Sequence, residues 1–182
     1  MRHINVIRSI LLIISIFLIT SCSNNSAMKP EDFKNKEPRL VIEEYMTGNV
    51  KAWGVLQNRS GKVTRQFSAD LNGAWDGKQL ILKETFNWDD GEVQDREWTI
   101  NKIDEHNYEG TAGDVVGKAK GYSYGPAFKF EYVLLVPVKG KEMKITFDDW
   151  IFKQDDRVAI NRATMTKFGF KVAELTVVFV KD

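Results

Sequence analysis

The chain has 182 residues, 26 Lys and Arg against 25 Asp and Glu, and a net charge of only +1. That balance excludes the basic surface on which a nucleic-acid-binding protein depends. One Cys and two His exclude an internal disulfide framework and a zinc or other soft-metal cluster. The length suits one domain, and five Trp with eleven Phe call for an aromatic interior.

Residues 1–21 read as a leader. Arg2 and Arg8 make a basic start, and Ile10 to Ile19 form an apolar run of about ten residues, too short to span a bilayer. Thr20-Ser21-Cys22 then places small side chains before the single Cys. This order resembles the lipobox of bacterial lipoproteins, which implies cleavage before Cys22 and acylation of its thiol and new amino group by palmitate-like chains. Each buried methylene is worth ~0.8 kcal/mol, so two or more chains hold a protein on a membrane. Ser23, where Asp would signal retention, implies export to the outer membrane with the protein facing the periplasm. Residues 22–39 are expected to be the lipidated end and a polar tether, and residues 40–182 the folded domain. Loss of Arg2 and Arg8 leaves 24 basic against 25 acidic side chains.

Leu40 to Met46 is a short apolar segment closed by Gly48, and its length does not separate a helical turn from a short strand. From Val50 onward, runs of about ten residues alternate apolar and polar side chains between turn residues. The pattern predicts strands over 50–58, 62–72, 78–88, 92–102, 107–112, 114–123, 127–138, 141–153, 157–168 and 170–181. Short, evenly spaced strands joined by hairpins predict an all-β chain folded as an antiparallel up-and-down β-barrel of eight to ten strands.

Turn chemistry predicts register. Asp76-Gly77 as a two-residue turn sets Leu71 opposite Leu82 and Phe67 opposite Phe86. Asp89-Asp90-Gly91 as a three-residue loop sets Leu82 opposite Trp98 and Leu80 opposite Ile100. Arg59-Ser60-Gly61, read the same way, sets Trp53 opposite Phe67. Lys139-Gly140 aligns Leu134 with Ile145 and Tyr132 with Phe147. Asp155-Asp156 as a two-residue turn brings Asp149 opposite Arg162, beside Phe130. The inward face then holds Trp53, Phe67, Phe86, Trp98, Phe130 and Tyr132, with Ala69, Glu84 and Arg96 in one row. Arg65, Trp88 and Glu92 share another row, as a rim pair of little energetic weight.

Buried charges need partners. Asp149–Arg162 reads as a structural pair. Glu84–Arg96 stays open between a structural pair and a polar anchor for an amphipathic ligand. Asp148 and Asp149 are neighbours on a strand and point to opposite faces, so they do not act together. His106 lies in the polar turn Asp104 to Asn107, and no Ser sits in a nucleophile elbow. No catalytic, metal or cofactor set emerges. Gly110 to Gly117 reads as short strands with a tight bend, Asp114 being the one acid there to watch.

Several segments carry a family resemblance: Lys51-Ala52-Trp53-Gly54, Asn58-Arg59-Ser60-Gly61, Trp75-Asp76-Gly77, Gly110 to Gly117, Phe147-Asp148-Asp149-Trp150 and Asn161 to Gly169. Together they resemble the bacterial lipoprotein family known as domain of unknown function 3833 (DUF3833), over essentially the whole mature chain. The resemblance implies a lipobox but no established activity. The strand pattern is also similar to the lipocalin or calycin barrel, which implies that Trp53 and Arg162 stack to close it. The order Trp-Gly departs from the Gly-x-Trp of those barrels.

The expected function is a membrane-anchored barrel that binds or chaperones a hydrophobic or amphipathic molecule, such as a lipid. The ligand-facing residues would be Trp53, Phe67, Glu84, Phe86, Arg96, Trp98, Phe130, Tyr132, Asp149 and Arg162. The alternatives are a packed structural module with an envelope protein partner, and an enzyme of membrane lipid metabolism using Glu84, Asp114 or Arg96. An open interior favours the first.

Overall fold

A computed structural model describes residues 27–138 and 140–182, so the leader and Cys22 lie outside the described residues. Ten strands close into one antiparallel barrel: β1 (Gly48–Asn58), β2 (Val63–Trp75), β3 (Gln79–Trp88), β4 (Val93–Lys102), β5 (Asn107–Thr111), β6 (Ala119–Tyr124), β7 (Ala127–Val138), β8 (Lys141–Lys153), β9 (Val158–Lys167) and β10 (Phe170–Lys181). Each strand pairs with its chain neighbours, and β1 pairs with β10 to complete the ring. Alternation puts mostly apolar side chains inside and most charged ones outside, and closure removes the free sheet edges.

The apolar segment before β1 is helical. A 3-10 turn over Pro30–Phe33 leads to α1 (Ile42–Met46), which plugs one end of the barrel. Ile42, Tyr45 and Met46, spaced i, i+3, i+4, are all buried. Tyr45 Oη donates to the Arg157 carbonyl at 2.9 Å. Lys181 Nζ donates to the carbonyls of Glu44, Tyr45 and Thr47 at 2.7, 2.9 and 2.8 Å, satisfying the orphan acceptors where α1 ends. The buried Glu43 takes an ion pair from Lys102 and a 2.9 Å hydrogen bond from Tyr108 Oη. Gly73 makes the fit achievable: a Cβ there would stand 1.9 Å from the Met46 carbonyl oxygen. Within the stretch assigned to the tether, Phe33 packs on Phe152 and Trp150, with ring centroids 5.5 and 6.0 Å away.

Three registers differ from the turn-based expectation. The β2–β3 connection is two residues longer, held by Asp76 Oδ1 accepting from the Lys78 and Gln79 amides at 2.8 and 2.7 Å. Phe67 therefore faces Trp88 and Leu71 faces Glu84, and Ala69 faces Phe86 instead of Glu84. A shift of two leaves every side chain on its expected face. Shifts of one do not. A bulge between Leu56 and Gln57 in the β1–β2 ladder pairs Gly54, not Trp53, with Phe67. The β8–β9 connection gains one residue because Asp155 Oδ1 caps the amides of Arg157 and Val158 at 2.8 and 2.7 Å, which pairs Asp149 with Ala163 and sends Arg162 outward. The β3–β4 and β7–β8 registers are as expected.

The wall is uneven. Strands β5 and β6 are short, and β4 meets β5 only through Thr99 to Lys102. Residues 112–118, expected to begin a strand at 114, form instead a loop that patches the gap beside β7. Val115 bridges Leu134, and the Val116 amide donates to the Val133 carbonyl at 2.8 Å.

Candidate functional site

The ends of the barrel differ. α1 closes one, while the hairpins after β1, β3, β7 and β9 ring the other. Between them lies a cavity of about 290 Å³, floored by Ile42 and Met46 and walled by side chains from all strands except β5 and β6. That volume stands at the lower edge of the range for small-molecule sites. Ten strands enclose more than the eight that side chains just fill. The glycines let rings lie flat against the wall: a Cβ at Gly54 would meet the Phe67 ring at 2.3 Å, and one at Gly110 the Phe130 ring at 2.4 Å.

One wall is an aromatic chain. Trp98 packs against Phe130 and Tyr132 at centroid distances of 5.0 and 5.3 Å, and Tyr132 stacks on Phe147 at 4.9 Å. Across the cavity Phe67 contacts Phe86 at 5.2 Å and Trp88 at 4.9 Å. Such offset and edge contacts rigidify a wall while leaving apolar faces for a ligand.

Polar groups interrupt this surface at mid-depth. Arg96, on β4, makes a bidentate contact with Asp114 of the patching loop: Nη2 to Oδ2 at 2.7 Å, and Nε to the two carboxylate oxygens at 3.1 and 3.2 Å. Glu84 lies opposite Arg96 in the ladder, yet its nearest guanidinium contact is 4.0 Å. Burial pushes the Glu84 carboxyl up to about 7; Arg96 and Trp98 oppose that rise, and Asp149 and Asp114 add to it. Asp149, on β8, accepts from Tyr132 Oη at 2.9 Å and from Asn161 Nδ2. Burial raises its carboxyl to about 6 against these two hydrogen bonds. It also holds the Tyr132 phenol above its ordinary value, with the Asp149 charge adding to the effect.

At the mouth, Arg65 bridges Asp90 and Glu92 at 2.7 and 2.9 Å and lies over the Trp88 ring at 4.0 Å. Arg65 Nε and Trp88 Nε1 are buried there with no acceptor. Apolar side chains stand exposed around this rim, Phe168 at 88% and Phe170 at 73%.

Of the ten residues expected to face a ligand, Phe67, Glu84, Phe86, Arg96, Trp98, Phe130, Tyr132 and Asp149 line the cavity. Trp53 and Arg162 do not. Trp53 is half exposed on the outer face, and Arg162 pairs outside with Glu174, so neither closes the barrel from within. The expected Asp149–Arg162 pair is replaced by the hydrogen bonds to Tyr132 and Asn161. Sequence reasoning missed Asn161 because the β8–β9 loop was read one residue short. It also missed the floor, whose signal was the i, i+3, i+4 spacing of Ile42, Tyr45 and Met46. His106 lies near the plugged end, stacked on Tyr124 at 4.1 Å with Nδ1 2.9 Å from the Ser123 carbonyl oxygen. Among the described residues no group of three His, Cys, Asp or Glu is placed to hold a metal ion.

The barrel is similar to solved structures of low sequence identity. An S-type phycobiliprotein lyase from Guillardia theta is 10% identical, with a TM-score of 0.58 over 77% of this chain and 90% of that one. A protein of unknown function from the DUF3598 family of Nostoc punctiforme is 14% identical, with a TM-score of 0.60 over 81% of this chain. The present chain spans about half of that protein, 51%. These likenesses concern the fold, a lipocalin-like barrel. No curated protein matches the sequence. The family described as "protein of unknown function (DUF3833)" matches residues 16–181. With a match over nearly the whole of its length, the chain belongs to the DUF3833 family.

Proposed function

We propose that this protein binds one hydrophobic or amphipathic molecule inside its barrel and carries or shelters it at a membrane. The observation that carries this reading is the cavity of about 290 Å³, open at one end, aromatic in its walls and polar at mid-depth. Apolar burial supplies affinity in such a site, and a few fixed polar groups supply orientation. The lipobox-like leader supports acylation at Cys22 and residence on the outer membrane facing the periplasm, where a lipid ligand is at hand. An envelope protein that receives or delivers the ligand belongs to the same proposal.

Native mass spectrometry of the full chain released from its own membrane tests the reading. The expected result is one small apolar molecule retained per barrel. Repeated recovery of the bare chain, under conditions that keep lipid on a known binder, would overturn it. Glu84 favours a second reading, an enzyme of lipid chemistry, because a desolvated carboxyl near neutrality in a pocket is how a general acid or base is set up. That reading requires turnover of the retained molecule, lost in Glu84→Gln.

A further inference from the structure

We infer that the ligand of this cavity carries a cationic head, such as a protonated amine, which seats between Glu84 and Asp149. The inference rests on the binding reading and concerns which chemistry the site accepts.

The charges that face the cavity decide it. Arg65 is committed at the rim, between Asp90 and Glu92. Arg96 has its Nε/Nη2 edge on Asp114, and its remaining Nη1 stands 4.0 Å from Glu84. Two carboxylates remain. Glu84, with its side chain only 11% exposed, has no cation nearer than 4.0 Å. Asp149 is held by neutral donors alone, a phenol and an amide. A carboxylate or phosphate head would add a third negative charge and would find the one mid-depth guanidinium already occupied. One guanidinium serves three cavity carboxylates, and an ammonium head would bring a second cation at the depth where burial makes unbalanced charge most costly. Burial raises both carboxyls, to about 7 and about 6, and Arg96 only partly offsets it, which leaves room for a further cation. The surroundings suit the same head: Trp98 and Tyr132 line the cavity, and ammonium groups are attracted to aromatic rings.

The test is a titration of the full chain in lipid nanodiscs, near pH 8, with octylammonium, octanoate and 1-octanol. Binding is followed by the fluorescence of the cavity tryptophans against empty nanodiscs. The expected order is octylammonium tightest, by about tenfold or more over octanoate, since a hydrogen bond to a charged group is worth about that factor. Glu84→Gln and, separately, Asp149→Asn should each narrow the gap between octylammonium and octanol. Octanoate equal to or tighter than octylammonium overturns the inference and leaves the binding function standing. Equal binding of all three probes does the same, as does a preference unchanged in both variants. Failure of all three probes to bind overturns the binding reading with it. Two variants guard against one failing to fold, which circular dichroism reports.

Discussion

Replacing Glu84 by Gln should stabilise the protein at neutral pH and leave it unchanged in acid. The folded chain holds this carboxyl at about 7 against an ordinary value of 4.5. Between those values the folded state keeps a proton that the unfolded chain has lost. Stability is therefore greatest below pH 4.5, falls as pH rises, and levels out above 7. One tenfold step in proton affinity is about 1.4 kcal/mol, so the full cost of the ionised group at pH 8 is about 3 kcal/mol. With 11% of the side chain exposed, solvent screens little of it. Gln keeps the shape and removes the charge, while Arg96 retains Asp114. Urea unfolding at pH 5, 6, 7 and 8 should give a difference between variant and parent that grows from about 1 to about 3 kcal/mol. In Tm that is about 6–12 °C for a chain of this size. Asp149 adds its own slope below pH 6 and its charge adds to the rise at Glu84, so the same series in an Asp149→Asn background separates the two contributions. A difference that is flat with pH, or a variant less stable at pH 8, would refute the reasoning. A gain in stability with a loss of ligand selectivity is the exchange expected of a functional group held in an unfavourable place.

Other outcomes can be checked with the same preparations. Trp98→Ala removes a ring only 5% exposed and should cost about 3–5 kcal/mol, whereas Trp53→Ala should cost far less and leave ligand binding intact. Equal losses would restore Trp53 to the interior. Gly73→Ala pushes a Cβ against the Met46 carbonyl and should lower stability by about 1–3 kcal/mol, with faster amide exchange in α1. An unchanged exchange rate would mean that the plug is seated elsewhere. Asp114→Asn strips Arg96 of its bidentate partner and should cost about 2 kcal/mol, with early proteolysis within residues 112–118. Phe168→Ser with Phe170→Ser touches only exposed side chains, so a Tm shift of more than a few degrees would count against their placement.

The fold and most of the cavity wall were legible because strand alternation survives errors that come in twos. The β2–β3 connection was misjudged by two residues, and Leu71, Phe67 and Glu84 still face inward. Errors of one residue changed the chemistry. The bulge beside Leu56 interrupts neither apolar run, so nothing in the sequence marks it, and it alone puts Trp53 on the surface. The extra residue after Asp155 had a signal, since an Asp that accepts from amides two and three residues ahead holds a longer loop than a bare two-residue turn. α1 left a trace in the i, i+3, i+4 spacing of Ile42, Tyr45 and Met46, but five residues are too few for that spacing to separate a helix from a strand. The hollow itself was not legible: its volume depends on how rings lie over Gly54 and Gly110, which is a matter of packing rather than pattern.

The plug also gives the molecule a direction. The chain reaches the barrel at its stoppered end, where Phe33 and α1 are seated, while Phe168 and Phe170 mark the opposite lip. If acylation at Cys22 secures the N-terminus, as proposed, the membrane would hold the barrel by its base, like a cup on a short stem. The lip would then point away from that surface, and exchange of contents would take place on the far side. Traffic through such a vessel would be with a second party across the gap, and the stem's length would set how far it can lean.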